Sequence, residues 1–208
     1  MNKPNHIYHF THVRNLNSIV ESGRLLCKNQ LATTPYTDIA AEDIQRKRAI
    51  KKVPCGPRGT LTDYVPFFFA GRSPMMYFIS RNVQIYPEGV IPLVYLVSSA
   101  QTVQAAGLPF VFTDGHPIMR ITRFYDDLAH LSAVDWDVMS SRMWNDTQEF
   151  PDRQRRREAE FLVWNSFPWE LVEGLSVVNK QMQSYVQATI SASEYQPPVV
   201  VDRSLYYL

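Results

Sequence analysis

Glu160 is a carboxylate set into an apolar segment, Arg-Glu-Ala-Glu-Phe-Leu-Val at residues 157–163. Side chains alternate along a strand, so Glu158 and Glu160 share one face of a predicted strand and Phe161 faces the other way. A charged group at the entrance of an apolar strand lies either on a solvated edge or in a cleft that uses its carboxylate. The residues alone leave both interpretations open.

A second group of candidates lies near the N-terminus, where histidines stand at positions 6, 9 and 12. This spacing suits a metal site on a helix, but the neighbouring Ile, Tyr and Phe residues favour a strand. On a strand His9 points away from His6 and His12, so the three imidazoles do not converge and no metal is expected. His9 is then a hydrogen-bonded core histidine or a functional group, and spacing alone favours the core role.

Basic residues are concentrated in two segments, although the formal net charge is only +1. Residues 46–58 hold six Lys or Arg and no acidic residue, and residues 153–157 hold four arginines directly before Glu158 and Glu160. Charge runs are usually solvated faces. Two of them flanking a candidate active site predict instead a local basic groove that binds phosphates.

The composition is that of a soluble globular domain, with 45% hydrophobic and 20% charged residues among 208. This length fits one domain, residues 1–208, with a core large enough to fold without disulfides. Cys27 and Cys55 have no metal or redox spacing, and no apolar run approaches the roughly 20 residues of a membrane helix. Without a signal-peptide pattern, a cytoplasmic protein with no membrane segment is expected.

The motifs of several large enzyme classes are missing from the sequence. It contains no GxGxxG, Walker, GxSxG or paired-Cys motif. Hydride transfer, nucleotide hydrolysis and triad hydrolysis therefore lack their usual sequence support.

Short strands and two long excursions must position these candidates. Aromatic and β-branched residues between Gly and Pro predict strands at residues 7–10, 65–70, 76–80, 91–97, 110–112, 159–163 and 197–208. Apolar spacing and end signals predict helices at residues 16–22, 38–52, 98–106 and 179–191. Residues 29–36 indicate a loop, and residues 125–146 an excursion with an apolar helical face at Trp136, Met139 and Met143. This pattern is typical of an α+β domain around a split antiparallel sheet.

Five segments resemble, in order, those of the DarT family, the DNA ADP-ribosyltransferase toxins of DarT–DarG toxin–antitoxin systems. They are IYHFTH (7–12), IQRKR (44–48), DYVPFFFAGRSPM (63–75), LPFVFTDGH (108–116) and RRREAEFLV (155–163). Each segment alone is weak evidence. The ordered set spans nearly the whole chain and is specific.

The resemblance implies an ADP-ribosyltransferase fold, in which two apposed antiparallel sheets hold NAD in the cleft between them. It implies that Glu160 and Arg48 are catalytic and that His9 hydrogen-bonds the NAD ribose. Further NAD contacts would come from Thr11, Phe68, Arg72 and Met75. Residues 125–152 would recognise the substrate, and DNA contacts would come from Arg46, His116, Trp144, Arg153 and Arg155.

The branch of the family that this chain most resembles modifies thymine in single-stranded DNA within a short sequence context. It consumes NAD and needs no metal. A macrodomain antitoxin removes the ADP-ribose from the modified DNA, and the transferase is expected to be a monomer. A carboxylate stabilises the positive ribosyl centre left when nicotinamide departs. A guanidinium beside thymine N3 favours the anionic base, but arginine normally stays protonated, so the role of Arg48 stays open. A single strand exposes the Watson–Crick edge that carries N3.

Two positions depart from the family pattern or are ambiguous in it. Phe68 stands where many relatives have tyrosine, so it can stack on nicotinamide but cannot donate a hydrogen bond. Arg46 would exchange roles with Arg48 if the helix were shifted.

Two other functions stay open. The chain could modify RNA or protein, or it could be a catalytically silent single-strand-binding module with Tyr125, Trp136 and Trp144 as stacking residues.

Overall fold

A computed structural model describes residues 5–31 and 35–208 of the chain. The loop predicted at residues 29–36 falls partly outside the described residues, and its beginning belongs to a short 3-10 helix, Lys28–Leu31. None of the helices in the described ranges is long and apolar enough to cross a membrane.

The described residues form ten strands in two sheets. The strands are β1 (His6–His12), β2 (Arg24–Leu26), β3 (Tyr64–Phe68), β4 (Leu93–Ser99), β5 (Phe110–Thr113), β6 (Phe124–Tyr125), β7 (Glu160–Trp164), β8 (Ser166–Pro168), β9 (Gly174–Val177) and β10 (Val199–Val201). The large sheet has the order β10-β9-β4-β1-β3-β7-β5-β6, and β2 pairs with β8. Strand β10 runs parallel to β9, and the other neighbours are antiparallel. The α+β class predicted from the sequence is confirmed.

The large sheet is nearly divided between β1 and β3. Along these two described strands the backbones pair at one position, Tyr8 with Phe68. By contrast, β1 pairs with β4 along its whole length, and so does β3 with β7. Phe68 also pairs with Glu160 on β7. The candidate glutamate therefore lies where the two halves of the sheet separate.

Strand β7 turns its two faces to two different apolar clusters. Phe161 and Val163 are fully buried in the main core of the domain. Leu162 is buried on the opposite face, against Leu61 and Val111. Each such side chain stabilises the fold by roughly 1.5–3 kcal/mol. The alternation predicted for this segment is confirmed, and Glu160 lies on the face of Leu162.

Seven α-helices surround the sheets within the described residues. They are α1 (Leu16–Ser22), α2 (Glu42–Ile50), α3 (Pro74–Arg81), α4 (Ala100–Ala105), α5 (Trp136–Ser140), α6 (Arg153–Arg157) and α7 (Lys180–Ile190). Gly23, with a φ of 68°, ends α1 in the left-handed region that favours glycine. The Asn179 side chain accepts a hydrogen bond from Met182 N and begins α7.

The strand predicted at residues 76–80 is wrong, because these residues belong to α3. Ser73 caps this helix by accepting a hydrogen bond from Met76 N at 3.2 Å. Pro74 follows at the first helical position, where its fixed φ is favourable. Met76 and Ile79 are buried at helical spacing. A short apolar run is compatible with both periods, and the capping signal decides for the helix.

Two other expectations are also corrected. Met143 lies beyond the end of α5 and is 69% exposed, so the apolar face of the excursion consists of Trp136 and Met139. The terminal strand predicted at residues 197–208 is limited to β10. Asp202 then caps a 3-10 helix, Arg203–Leu205, because its carboxylate accepts from the backbone two residues on.

Candidate active site

Arg48 and Glu160 form a buried ion pair, although 112 residues separate them in the chain. Arg48 Nη1 donates to both carboxylate oxygens of Glu160, at 2.8 and 2.9 Å. The two side chains are 11% and 6% exposed. Burial raises the pKa of Glu160 above its ordinary value, and the charge of Arg48 opposes that rise. The two residues predicted to be catalytic are therefore in direct contact.

Secondary structure holds both partners in place. Arg48 is the buried residue of α2, whereas Arg46 on the same helix is exposed. Glu160 begins β7, and its backbone N–H donates to Thr113 Oγ1 at 3.0 Å. Thr113 Oγ1 in turn donates to Gly115 O at 2.7 Å. The turn after β5 thus fixes the backbone from which the Glu160 side chain extends.

A cavity of about 750 Å³ lies beside the ion pair. This volume is within the usual range for a small-molecule or cofactor site. Its walls include Arg48, Glu160 and six residues predicted to bind NAD or DNA: His9, Thr11, Phe68, Met75, His116 and Trp144.

His9 is held in one orientation at the wall of the cavity. Its Nδ1 lies 2.8 Å from Pro66 O. A carbonyl oxygen only accepts, so Nδ1 carries the proton and donates it. Burial lowers the pKa of His9, with the Pro66 carbonyl opposing that change. The imidazole is therefore neutral near pH 7, and its Nε2 is an acceptor.

Two buried nitrogen atoms of the cavity residues have no hydrogen-bond partner among the described residues. They are Arg48 Nη2 and His116 Nδ1. An unsatisfied buried polar group costs about 1–3 kcal/mol, so it indicates a place that a ligand completes. Burial, aided by the charges of Arg48 and Lys47, lowers the pKa of His116 to about 4. His116 is therefore a neutral group facing Arg48.

Glu158 is a second carboxylate in the cavity wall. Burial, together with the charges of Glu160 and Asp146, raises the pKa of Glu158 to about 7. A carboxylate with this pKa can accept or donate a proton near neutral pH. The cavity thus combines an ion-paired carboxylate with one that titrates.

Two predicted contacts lie away from the cavity. Arg72 Nε donates to Tyr206 O at 2.9 Å, and its guanidinium lies over the ring of Tyr207. Arg46 pairs with Glu42 at 2.7 Å on the exposed face of α2. Neither belongs to the cavity walls, so the predicted NAD contact of Arg72 and DNA contact of Arg46 receive no support from the geometry. Of the two arginines between which the sequence was ambiguous, Arg48 is the one that contacts Glu160.

The arginines of α6 are also engaged within the protein. Arg155 pairs with Asp152 at 2.8 Å and with Asp114 at 3.1 Å. Arg153 donates to Ser141 Oγ at 2.9 Å. Neither arginine lines the cavity. These contacts give the phosphate-binding groove predicted from this cluster no support, because acidic and polar groups of the protein already bind both guanidinium groups.

Arg157 ties the excursion at residues 125–152 to the segment that follows β3. It is 5% exposed. Its Nη1 donates to Val138 O at 2.7 Å, and its Nη2 donates to Gly71 O at 2.7 Å. A rigid guanidinium fork suits such bridging between two backbone segments.

Several cavity residues were not singled out from the sequence. Tyr77 was missed because its segment was assigned to a strand, although the Ser73–Pro74 capping signal indicated a helix. Glu158 shares the predicted face of Glu160, and that pattern could have identified it. Asn145 and Gln154 also line the cavity, and no sequence signal marks them.

Comparison with known proteins gives a consistent result. The family model described as "ssDNA thymidine ADP-ribosyltransferase, DarT" matches residues 8–207. A protein of Thermus aquaticus described as a DNA ADP-ribosyl transferase is 43% identical over 206 residues, which cover 98% of this chain and 90% of the relative.

Solved structures of a Thermus sp. 2.9 protein agree with the fold described above. Its complex with ADP-ribosylated ssDNA matches with a TM-score of 0.93 and 39% identity, covering 99% of this chain and 98% of that chain. Its complex with NAD+ matches with a TM-score of 0.89 and 37% identity, covering 99% of both chains.

Proposed function

The chain belongs to the DarT family and is an NAD-dependent DNA ADP-ribosyltransferase, and on this premise we propose that it modifies thymine in single-stranded DNA. The target thymine is recognised within a short sequence context. The observation that carries the proposal is the buried Arg48–Glu160 pair beside a cavity of about 750 Å³. The pair lies where the two halves of the sheet separate.

The cavity walls fit NAD. Phe68 and Met75 supply apolar surface for the nicotinamide ring, and the neutral His9 offers its Nε2 to a ribose hydroxyl. Thr11 adds a hydroxyl in the same wall. Because Phe68 has no hydroxyl group, it contributes by stacking alone.

Different residues act on the ADP-ribosyl donor and on the acceptor base. NAD supplies the ADP-ribosyl group, with nicotinamide as the leaving group when the glycosidic bond breaks. Glu160 places its negative charge beside the ribosyl carbon, where positive charge develops. Arg48 Nη2, free of partners among the described residues, is available to a carbonyl oxygen of the acceptor base. A donor there favours the anionic form of thymine.

Thymine N3 must lose its proton as the new bond to the ribosyl carbon forms. Glu158 lies in the cavity and its pKa is raised to about 7. Such a carboxylate is matched to proton transfer near neutral pH. We propose that Glu158 accepts the N3 proton, while the ion pair with Arg48 positions Glu160 beside the ribosyl centre.

The test is mass spectrometry of a thymine-containing oligonucleotide after incubation with NAD and the protein. One ADP-ribosyl unit on thymine is the expected product. Parallel incubations with RNA and with a protein pool use the same NAD. An adduct confined to RNA or protein, or DNA binding without consumption of NAD, would contradict the proposal.

We propose further that the protein is the toxin of a toxin–antitoxin pair, whose partner is a DarG-like macrodomain antitoxin. We propose that it acts in the cytoplasm, where NAD and DNA are both present, and that it acts as a monomer. Expression alone should arrest growth, and co-expression with such a macrodomain should restore it. Gel filtration should give the mass of one chain.

A further inference from the structure

A group of aromatic side chains lies at one side of the cavity and has no part in the reaction described so far. Tyr77 of α3 and Trp144 of the excursion both line the cavity. Their ring centroids are 5.8 Å apart, with planes at 80°. Tyr77 is 38% exposed. Aromatic surface that reaches from a cavity to solvent can receive a flat ligand by stacking.

Trp144 is fixed by a residue from near the C-terminus. Its indole Nε1 donates to the hydroxyl of Tyr207. That hydroxyl donates in turn to Arg72 O at 2.9 Å, so its hydrogen-bonding capacity is used on both sides. The Tyr207 ring also packs against Tyr77, with centroids 5.1 Å apart. The two cavity rings therefore belong to one braced cluster.

Positive charge borders the same cluster. The Arg81 guanidinium lies over the Tyr77 ring, 5.3 Å from its centroid, and Arg81 also lines the cavity. The Arg72 guanidinium lies over the Tyr207 ring at 5.1 Å. Aromatic rings beside cationic side chains are the combination by which proteins bind unpaired bases and their phosphates.

We propose that Tyr77 and Trp144 form a stacking subsite for one unpaired base next to the target nucleotide. The inference rests on the proposed function and adds how the flanking sequence is held. The subsite is continuous with the cavity that contains Glu160 and Arg48. Arg81 accompanies the strand as a phosphate contact. Tyr207 is a positioning residue, because it acts on the strand through Trp144.

The test uses oligonucleotides in which the base on one or the other side of the target thymine is removed, leaving an abasic sugar. For the wild-type protein, kcat/KM should fall roughly tenfold or more when the stacked base is missing. For Tyr77→Ala, the intact oligonucleotide should already show that loss, and base removal should add nothing further. The fall in kcat/KM caused by base removal is called the penalty. Its disappearance in Tyr77→Ala, rather than the lower rate of the variant itself, identifies the contact.

Matched variants separate the subsite from general damage. Tyr77→Phe keeps the ring and should keep the penalty for base removal. Tyr207→Phe keeps its ring but offers no oxygen to Trp144, so the penalty should shrink. Tyr185→Ala removes another exposed tyrosine, on α7, which is not a cavity residue, and should show the full wild-type penalty.

Three results would overturn the inference. The first is an equal penalty in the wild type and in Tyr77→Ala at both flanking positions. The second is an increase in the KM for NAD of Tyr77→Ala with an unchanged penalty, which would assign the ring to the NAD site. A wild-type protein that leaves every DNA unmodified would contradict the proposed function itself, and the subsite with it.

Discussion

Helices α2 and α6 both carry clustered basic residues, and the two helices use them differently. In α2 one of these residues, Arg48, is buried against Glu160 at the cavity, while Arg46 and Lys47 form exposed ion pairs along the helix. In α6 the arginines bind acidic side chains and backbone carbonyls of neighbouring segments.

The difference lies in where the unsatisfied donors are located. Arg48 keeps a buried Nη2 without a partner among the described residues, next to a cavity. In α6, the Nε atoms of Arg153 and Arg157 are also buried without a partner among the described residues, but neither residue lines the cavity. The arginine donor left free beside the cavity is available to a substrate, whereas the α6 arginines hold segments of the fold together.

The largest expected effect is that of Glu160→Gln. The amide keeps the shape of the side chain but removes the negative charge beside the ribosyl carbon, so DNA modification should slow by about 100- to 1000-fold. Initial rates with NAD and a thymine-containing oligonucleotide measure this. Glu194→Gln, which changes an exposed acid that follows α7 and does not line the cavity, serves as the control and should retain its rate. Wild-type rates for Glu160→Gln would make Arg48–Glu160 a structural pair like those of α6.

Arg157→Ala should have the largest effect on stability. It removes the buried guanidinium that donates to the carbonyls of Val138 and Gly71 and bridges their segments, and the free energy of unfolding should fall by about 3 kcal/mol. Urea denaturation measures this change. Arg156→Ala, which removes a partly exposed ion pair, should cost less than about 1 kcal/mol. Equal small losses for both variants would show that Arg157 is no more structural than its neighbour.

Glu158 gives a pH-dependent test of the cavity. Its pKa is raised from 4.5 to about 7 on folding, so the folded state binds its proton more tightly than the unfolded state does. Its contribution to stability is therefore present below about pH 4.5 and is lost as the pH rises towards 7. Glu158→Gln should remove this loss, on the order of 1.4 kcal/mol for each unit of pKa difference.

Thermal unfolding of wild type and Glu158→Gln between pH 4 and 8 measures the effect. The variant should gain stability over the wild type as the pH rises. Parallel curves for the two proteins would show that Glu158 does not titrate in this range.

Arg46→Ala should have the smallest effect. Its ion pair with Glu42 is exposed, so stability should change by less than about 0.5 kcal/mol and DNA modification should be retained. Arg48→Ala, two residues away, should lose activity. A rate loss in Arg46→Ala comparable with that of Arg48→Ala would show that Arg46 also contacts the DNA and that the two arginines of α2 do not differ in function.

Local sequence accounted for much of the secondary structure. The alternation of Glu160, Phe161 and Leu162 placed the glutamate on the correct face of β7. Gly23 marked the end of α1, and the helix predicted at residues 179–191 corresponds to α7. The segment at α3 was misassigned because a short apolar run fits a strand and a helix equally. The extent of β10 could not be predicted either, since its pairing with β9 depends on a distant strand.

The sequence by itself determined the family, the α+β class and the carboxylate at the start of an apolar strand. The tertiary structure alone decided which basic residue meets that carboxylate, because Arg48 and Glu160 are 112 positions apart and helix rotation separates Arg48 from Arg46. It also decided that Arg155 and Arg156 of α6 form ion pairs within the protein, since Asp114 and Asp135 reach them from other segments. Coulomb energies depend on distance and burial, and neither can be obtained from the order of charges along a chain.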